Sequence, residues 1–561
     1  MILTCIGGEE ENMASIRPKT STSAVEQAVS VRQAVRDLLR SLKMATVFGN
    51  PGSTELPFLQ EWPADMRYIL GLQEACVVAM ADGYAQTTGN AAFVNLHSAA
   101  GLGNALGNLF TAYRNQAPLV VTAGQQARSL LLNHPYLFAE SATEFPKPYV
   151  KWSCEPATAA DVPAAIARAY HTAMMKPCGP TFVSVPVDDW EVESKPVVIR
   201  SVPREFAPDP ARLQIVAEAF NRSERPAIVV GPAIDADDAW DEVVTLAERS
   251  HAAVWESPLS SRASFPEDHP LFAGFLPAAP GPLSSELSQY DFILVLGAPV
   301  FTYHIAGEES LDSSRVYVVT DDTDAAARAP IGTSVLATMR LAISALLDLL
   351  RSPRRSRPAF RGPASEPGLH DPILAELVMS TVAKLMPRDA IIVEEAPAHR
   401  NAMHDYLPIR TRGGFYTTAS GGLGYALPAA VGIALAGTPR RVICLVGDGS
   451  AMYSIQALWT AAQHDLPVTV IVLNNRGYGA LKAFSQMMHT RNAPGLDLPG
   501  LDFLPIAKGF GCTAVRVEAA RDLAPAMQEA LSGKSPALLE VAVDSRVADL
   551  YRARGLMRTA V

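Results

Sequence analysis

The stretch Val442-Ile443-Cys444-Leu445-Val446-Gly447-Asp448-Gly449-Ser450-Ala451-Met452-Tyr453, followed after a second apolar strand by Leu473-Asn474-Asn475-Arg476-Gly477-Tyr478-Gly479, decides the reading of this chain. An apolar, β-branched run ending in glycine and then a helical start is the pattern of a buried parallel strand turning into a helix. Glycines at that edge let backbone amides approach a phosphate, and the helix N-terminus adds its positive end. Asp448 is a hard oxygen donor suited to a divalent cation beside such a phosphate, and an Asn carbonyl with a nearby backbone carbonyl would complete the shell. Taken alone, Gly-Asp-Gly is also what an ordinary strand-to-helix turn looks like.

The same theme recurs along the chain. Thr46–Phe48, Phe93–Leu96, Leu119–Thr122 and Phe182–Val185 read as strands of a first unit. Ala227–Val230, Phe292–Leu296 and Val316–Val319 belong to a second, and Ile391–Val393, Val442–Val446, Val468–Leu473 and Leu538–Val543 to a third. Strand, crossover helix and strand in repetition predict an α/β protein of three doubly wound domains with mainly parallel sheets. A run rich in Pro, Arg and Ser after Arg351 reads as a linker. The expected division is a disordered extension over 1–22, a first domain over 23–204, a middle domain over 205–350, a linker over 351–369 and a third domain over 370–561.

Composition narrows the function classes. With 561 residues, 48% hydrophobic and 19% charged, the chain can bury several cores. The formal net charge of −10 gives no basic face for nucleic acid or an anionic membrane, so neither is expected as a partner. The six cysteines show no C-x-x-C spacing, which argues against a zinc site or a disulfide framework and for reduced thiols in the cytoplasm. No apolar run reaches the ~20 residues that span a bilayer. The segment Met1–Gly8 is too short for an export signal and is followed by Glu9, Glu10 and Glu11.

Gly-Asp-Gly-Ser followed at this spacing by Asn-Asn resembles the thiamine-diphosphate motif of the pyruvate-oxidase-like family. The resemblance implies that fold twice, around a middle Rossmann-like domain. It also implies thiamine diphosphate with Mg²⁺ (Ca²⁺ able to substitute), the metal being held by Asp448, Asn475 and the Gly477 carbonyl. Gly447, Gly449, Ser450 and Tyr478 would line the cofactor. Upstream, Ala419-Ser420-Gly421-Gly422-Leu423-Gly424 places one large apolar residue in a glycine-rich turn; by resemblance Gly421 and Leu423 contact the cofactor, with Leu423 beneath it. Glu74, in Leu72-Gln73-Glu74-Ala75-Cys76, would bond the cofactor's pyrimidine ring. In any other company an acid there is a dipole partner of the first helical turn.

Further stretches narrow the likeness to the benzoylformate decarboxylases: Gly49-Asn50-Pro51-Gly52-Ser53-Thr54-Glu55-Leu56-Pro57-Phe58, Asn95-Leu96-His97-Ser98-Ala99-Ala100-Gly101 and Gly297-Ala298-Pro299-Val300-Phe301. This implies decarboxylation of a small aromatic 2-keto acid, with carboligation as a side activity. Ser53 would bind the substrate carboxylate and His97 and His304 would transfer protons, while Leu137, Ala480, Leu481 and Phe484 form an apolar wall. A homotetramer, as a dimer of dimers with active sites at subunit interfaces, is implied too. Tyr136 and Phe138 depart from the family, where smaller residues stand, and so do Pro397 and Ala398, where hydroxyl residues contact the diphosphate. His399 and Arg400 are neighbours able to compensate. Three rivals remain: a thiamine-dependent enzyme for another keto acid, a non-catalytic scaffold, and a flavin oxidase. Against the last, 226–349 shows no G-x-G-x-x-G after a strand.

Overall fold

The computed structural model describes residues 28–359, 362, 364–548 and 550; the expected extension over 1–22 lies outside the described residues, as does 551–561 of the third domain. Three six-stranded sheets carry the chain, and every strand pair within them is parallel. The first runs Arg67–Leu70, Thr46–Gly49, Ala92–Leu96, Leu119–Gln125, Thr181–Pro186, Ser153–Cys154. The third runs Phe415–Thr417, Ile391–Glu395, Val442–Gly447, Val468–Asn474, Ala537–Ala542, Thr513–Val517. Both follow one winding: the second strand outside the first, the sixth inside the fifth. The middle sheet runs Phe272–Phe275, Ala253–Glu256, Pro226–Val230, Phe292–Leu296, Val316–Thr320, Thr333–Leu336, the doubly wound order 3-2-1-4-5-6. One fold used twice around a Rossmann-like middle is what the motifs implied.

The central strands are buried along nearly their whole length because helices cover both sheet faces, hence their unbroken apolar runs. Helix Glu74–Thr88 of the first domain lies against helix Ala426–Leu435 of the third. A Cβ on Gly83 would fall 2.3 Å from the Ala429 carbonyl oxygen, and one on Gly432 would fall 1.9 Å from that of Met80. Only glycine permits this backbone contact. It fixes two helix starts relative to one another, one bearing Glu74 and the other preceded by the glycine turn, and a single apolar core including Val77, Met80, Leu427 and Val431 runs through both domains.

Arg355, in the stretch read as a linker, is tied to the middle domain through the carbonyls of Ser250, Phe220 and Ser223. Among the described residues no helix is long and apolar enough to cross a membrane.

Candidate active site

Strands Val442–Gly447 and Val468–Asn474 end in register, Gly447 opposite Leu473, so their continuations leave the sheet side by side. Asp448, 2% exposed, begins the next helical turn. Its Oδ1 accepts from Gly449 N at 2.8 Å and its Oδ2 from Gly477 N at 2.9 Å. Burial raises its pKa and these amides oppose that.

Of the two asparagines, one is already committed. Asn474 donates to Glu540 Oε1 at 2.7 Å and accepts from Arg476 N at 3.0 Å. Asn475 is buried, and its Oδ1 has no hydrogen-bond partner. An orphaned buried acceptor costs about 1–3 kcal/mol, which a cation would relieve. The Gly477 carbonyl accepts from Gly479 N at 3.0 Å and keeps a second lone pair. Among the described residues no cluster of three or more His, Cys, Asp or Glu could hold a metal. One carboxylate with neutral oxygens is nevertheless the donor set Mg²⁺ takes when phosphate oxygens complete its shell. The residues present therefore fit a metal diphosphate.

The cradle around them is tight. A Cβ on Gly449 would lie 2.5 Å from the Tyr478 ring, and one on Gly479 would lie 2.7 Å from Asn475 Nδ2 and 2.9 Å from Ala398 Cβ. Ala398 thus presents a methyl group beside Gly479. Arg400 does not stand ready to compensate, because its guanidinium pairs with Glu394 and donates to Thr417 Oγ1. His399 is buried with Nε2 unpartnered, and burial lowers its pKa to about 4 despite the nearby Asp544 and Glu394.

That shift has a sign. The folded state refuses a proton that the unfolded chain takes up near pH 6.5, so stability is lost as pH falls from there toward 4. Replacing His399 with Gln is expected to remove up to about 3 kcal/mol of this acid-side loss. Melting curves at pH 7 and pH 4.5 check it: the variant should lose fewer degrees on acidification, and an equal loss in both proteins would contradict the assignment.

Upstream, the glycine turn is fastened by a residue to which the sequence reading gave no role. Glu395 ends strand Ile391–Glu395, and its carboxylate accepts from Gly424 N at 2.7 Å, Tyr425 N at 2.7 Å and Ala426 N at 2.8 Å. These amides begin helix Ala426–Leu435 and lack helical partners. Burial nonetheless raises the Glu395 pKa to about 7. Gly421 at φ 73° and Gly424 at φ 98° take left-handed conformations on either side of Leu423, which is half-buried.

In the first domain, Glu74 opens its helix, and Gln73 caps it by accepting from Cys76 N at 3.1 Å. Glu74 Oε2 accepts from Asn104 Nδ2 at 3.1 Å, and the carboxylate remains partly exposed in the single chain. A Cβ on Gly101 would lie 3.3 Å from Glu74 Oε1 and 3.5 Å from His97 Cβ, so these two predicted residues flank one glycine. A Cβ on Gly52 would meet His97 Nδ1 at 2.2 Å, so the turn bearing Ser53 passes over the imidazole. Asn108 ties this group to the glycine turn, its Nδ2 donating to the Ala75 carbonyl at 2.8 Å and the Gly424 carbonyl at 3.1 Å.

Glu55 is the second residue the sequence reading passed over, although it stands inside a quoted motif. At 1% exposure it accepts from Gly52 N at 2.8 Å, Gly124 N at 2.9 Å and Thr54 Oγ1 at 2.7 Å, and lies 2.9 Å from His97 Nδ1. With the proton on Nδ1, His97 donates to Glu55 Oε2 and Nε2 carries the acceptor lone pair. Glu55→Gln is expected to lower kcat roughly tenfold by loosening this orientation, with the substrate KM changed less than about twofold. An unaltered kcat would remove Glu55 from the account.

His304, from the middle domain, reaches the third. Its backbone N–H donates to the Ala278 carbonyl at 2.9 Å, and its ring packs edge-on against Phe484 with centroids 4.5 Å apart. Phe484 lies on helix Gly479–Met487, which also bears Ala480 and Leu481, the latter 49% exposed. Nearby, Glu309 accepts from the Ser284 and Tyr303 hydroxyls and braces the loop. Leu137, at φ 65°, sits in a first-domain turn with Tyr136 largely exposed and Phe138 against His134.

Three comparisons bear on this geometry. The N-terminal thiamine pyrophosphate enzyme domain matches residues 29–141, the central domain 213–346 and the C-terminal thiamine-pyrophosphate-binding domain 397–541. Benzoylformate decarboxylase of Pseudomonas aeruginosa is 44% identical over 521 residues, 91% of this chain and 98% of that protein. The crystal structure of benzoylformate decarboxylase from Polynucleobacter necessarius superimposes with a TM-score of 0.90 at 42% identity, over 92% of this chain and 99% of the other. The Rhodococcus jostii 4-hydroxybenzoylformate decarboxylase gives 0.88 at 42% identity, over 92% and 99%.

Proposed function

The chain belongs to the thiamine pyrophosphate enzyme family, in its benzoylformate decarboxylase branch, and we propose that it splits benzoylformate into benzaldehyde and CO₂ with thiamine diphosphate and Mg²⁺. The observation that carries the cofactor reading is the buried, unpartnered Asn475 Oδ1, two residues before the Gly477 N–H that bonds the buried Asp448. Those atoms and the Gly477 carbonyl would hold the metal, with Gly447, Gly449, Ser450 and Tyr478 around the diphosphate. When bound, thiamine diphosphate supplies the nucleophilic carbon that adds to a keto group and the electron sink that takes up the pair released with CO₂.

The remaining tasks belong to this chain. Glu74 would exchange a proton with the cofactor's pyrimidine nitrogen. Leu423 and Gly421 would support the cofactor from below. Ser53, a neutral hydroxyl, would bind the substrate carboxylate without a full charge that would oppose its loss. His97, held by Glu55, and His304, held against Phe484, would deliver and remove protons at the reacting carbon. Phe484, Ala480, Leu481 and Leu137 would bury the phenyl ring, worth a few kcal/mol, roughly, of transfer energy. Ligation of a second aldehyde is a side reaction the same groups permit.

In the single chain Glu74 stays partly open and Leu72 beside it is 42% exposed. A second copy covering this face would desolvate the carboxylate, which supports sites at subunit interfaces in a homotetramer. The five described cysteines are all free, which suits a cytoplasmic enzyme. A substrate profile tests the proposal. Benzoylformate and its 4-hydroxy analogue should exceed pyruvate and a branched aliphatic keto acid in kcat/KM by roughly 100-fold, since an unfilled aromatic pocket forfeits about 3 kcal/mol. A preference for pyruvate would move the substrate while leaving the cofactor chemistry in place.

A further inference from the structure

Leu423 sits on a third-domain turn that the first domain holds, entered by a strand that the middle domain holds, and one buried carboxylate stands at the centre of the grip. Asp82, fully buried on helix Glu74–Thr88, accepts through Oδ1 from Gln86 Nε2 and from the Tyr425 hydroxyl at 3.2 Å, and through Oδ2 from Asn115 Nδ2 at 3.2 Å. Asn115 in turn accepts from Ala419 N at 2.9 Å. Asp82 therefore reaches both ends of 419–425, the first through Asn115 and the second through Tyr425.

The relay continues into the middle domain. Gln86 Oε1 accepts from Arg262 Nε at 2.8 Å, and Arg262 Nη1 donates to Asp235 Oδ2 at 2.8 Å. Asp235 Oδ1 accepts from Gly413 N at 2.8 Å, Ser261 O accepts from Thr417 N at 2.9 Å, and Arg262 pairs with Tyr416 through a backbone bridge. The strand entering the turn is thus held by the second domain and the turn itself by the first. A network of buried charges costs desolvation unless fully satisfied and usually stabilises less than an apolar core of the same shape. Burial raises the Asp82 carboxyl to about 6 even with these donors and the Arg262 charge nearby. What such a network gives in return is a single defined geometry.

We infer that Asp82 is a positioning residue that sets the height of Leu423 under the cofactor through Asn115–Ala419 and Tyr425. The inference rests on the proposed role of the glycine turn. Asp82 is fully buried, and its effect passes through Leu423.

A double-mutant cycle tests it, with Asp82→Asn, Leu423→Ala and the pair. Two quantities are read: kcat on benzoylformate at saturating thiamine diphosphate and Mg²⁺, and the affinity of the apoprotein for thiamine diphosphate from quenching of tryptophan fluorescence. Asp82→Asn should lower kcat about tenfold with the benzoylformate KM changed less than twofold, because the turn is displaced while the substrate wall is not. In the pair, kcat and affinity should be no worse than in the more damaged single variant. Effects that multiply would overturn the inference while leaving the cofactor reading intact. A Leu423→Ala protein with unaltered kcat and affinity would overturn the inference together with the proposed role of the glycine turn. Should Asp82→Asn fail to fold by circular dichroism, Asn115→Ala breaks the same relay one link later, and the same outcomes decide.

Discussion

Glu74→Gln is expected to lower kcat by roughly 10²–10³-fold at saturating cofactor, the largest single loss in this protein, because an amide matches the carboxylate in size but cannot exchange its proton. Glu74 accepts from the Asn104 amide at a helix start, and among the described residues it forms no ion pair with Arg or Lys. Its helix is locked to the third domain at Gly83 and Gly432, so the variant keeps the position of residue 74. Affinity for thiamine diphosphate, from fluorescence titration, should change less than about tenfold. Wild-type turnover in this variant would remove Glu74 from the mechanism.

Asp448→Asn acts on a different quantity. The carboxylate is the one anionic group in the proposed metal set, and its removal leaves neutral oxygens from Asn475 and Gly477. Metal affinity follows ligand charge, so the Mg²⁺ concentration for half-maximal activity should rise roughly 100-fold or more. Turnover should recover partly at high Mg²⁺. The fold should hold, because an Asn Oδ1 can still accept one of the two amides that now bond Asp448. An unchanged Mg²⁺ dependence would mean that the metal binds elsewhere or is not required.

Much of this was legible in the sequence, for identifiable reasons. Strands such as Val442–Gly447 and Leu119–Gln125 lie in sheet interiors with both faces covered, so each appears as an unbroken apolar run. The strands that escaped notice are mainly at edges. Thr513–Val517 and Thr333–Leu336 each expose residues to solvent, and their polar positions hide the pattern. Ala253–Glu256 is interior but ends on Glu256, whose carboxyl burial raises to about 8, so a residue that reads as charged closes the run.

The site divides similarly. Asp448 with Asn475 and Glu74 with His97 stand in dense motifs whose resemblance to a known family marks them together, and the structure sets Glu74 and His97 about one glycine, Gly101. The resemblance points to Asn475, and the physical reason lies in the structure, where Glu540 and Arg476 occupy Asn474. Glu55, Glu395 and Asp82 escaped notice because their work is to hold other groups across long sequence separations. A buried carboxylate accepting three amides, as Glu395 does, has no local signature; strand-ending Glu394 and Glu395 look alike until the turn they serve folds back.

The central claim is tested most directly by following CO₂ and benzaldehyde from benzoylformate with protein stripped of metal and cofactor, before and after both are restored. The account predicts no release from the stripped protein, and equal amounts of the two products once thiamine diphosphate and Mg²⁺ are present together. Release by the stripped protein, or none when titration shows the cofactor bound, would contradict it.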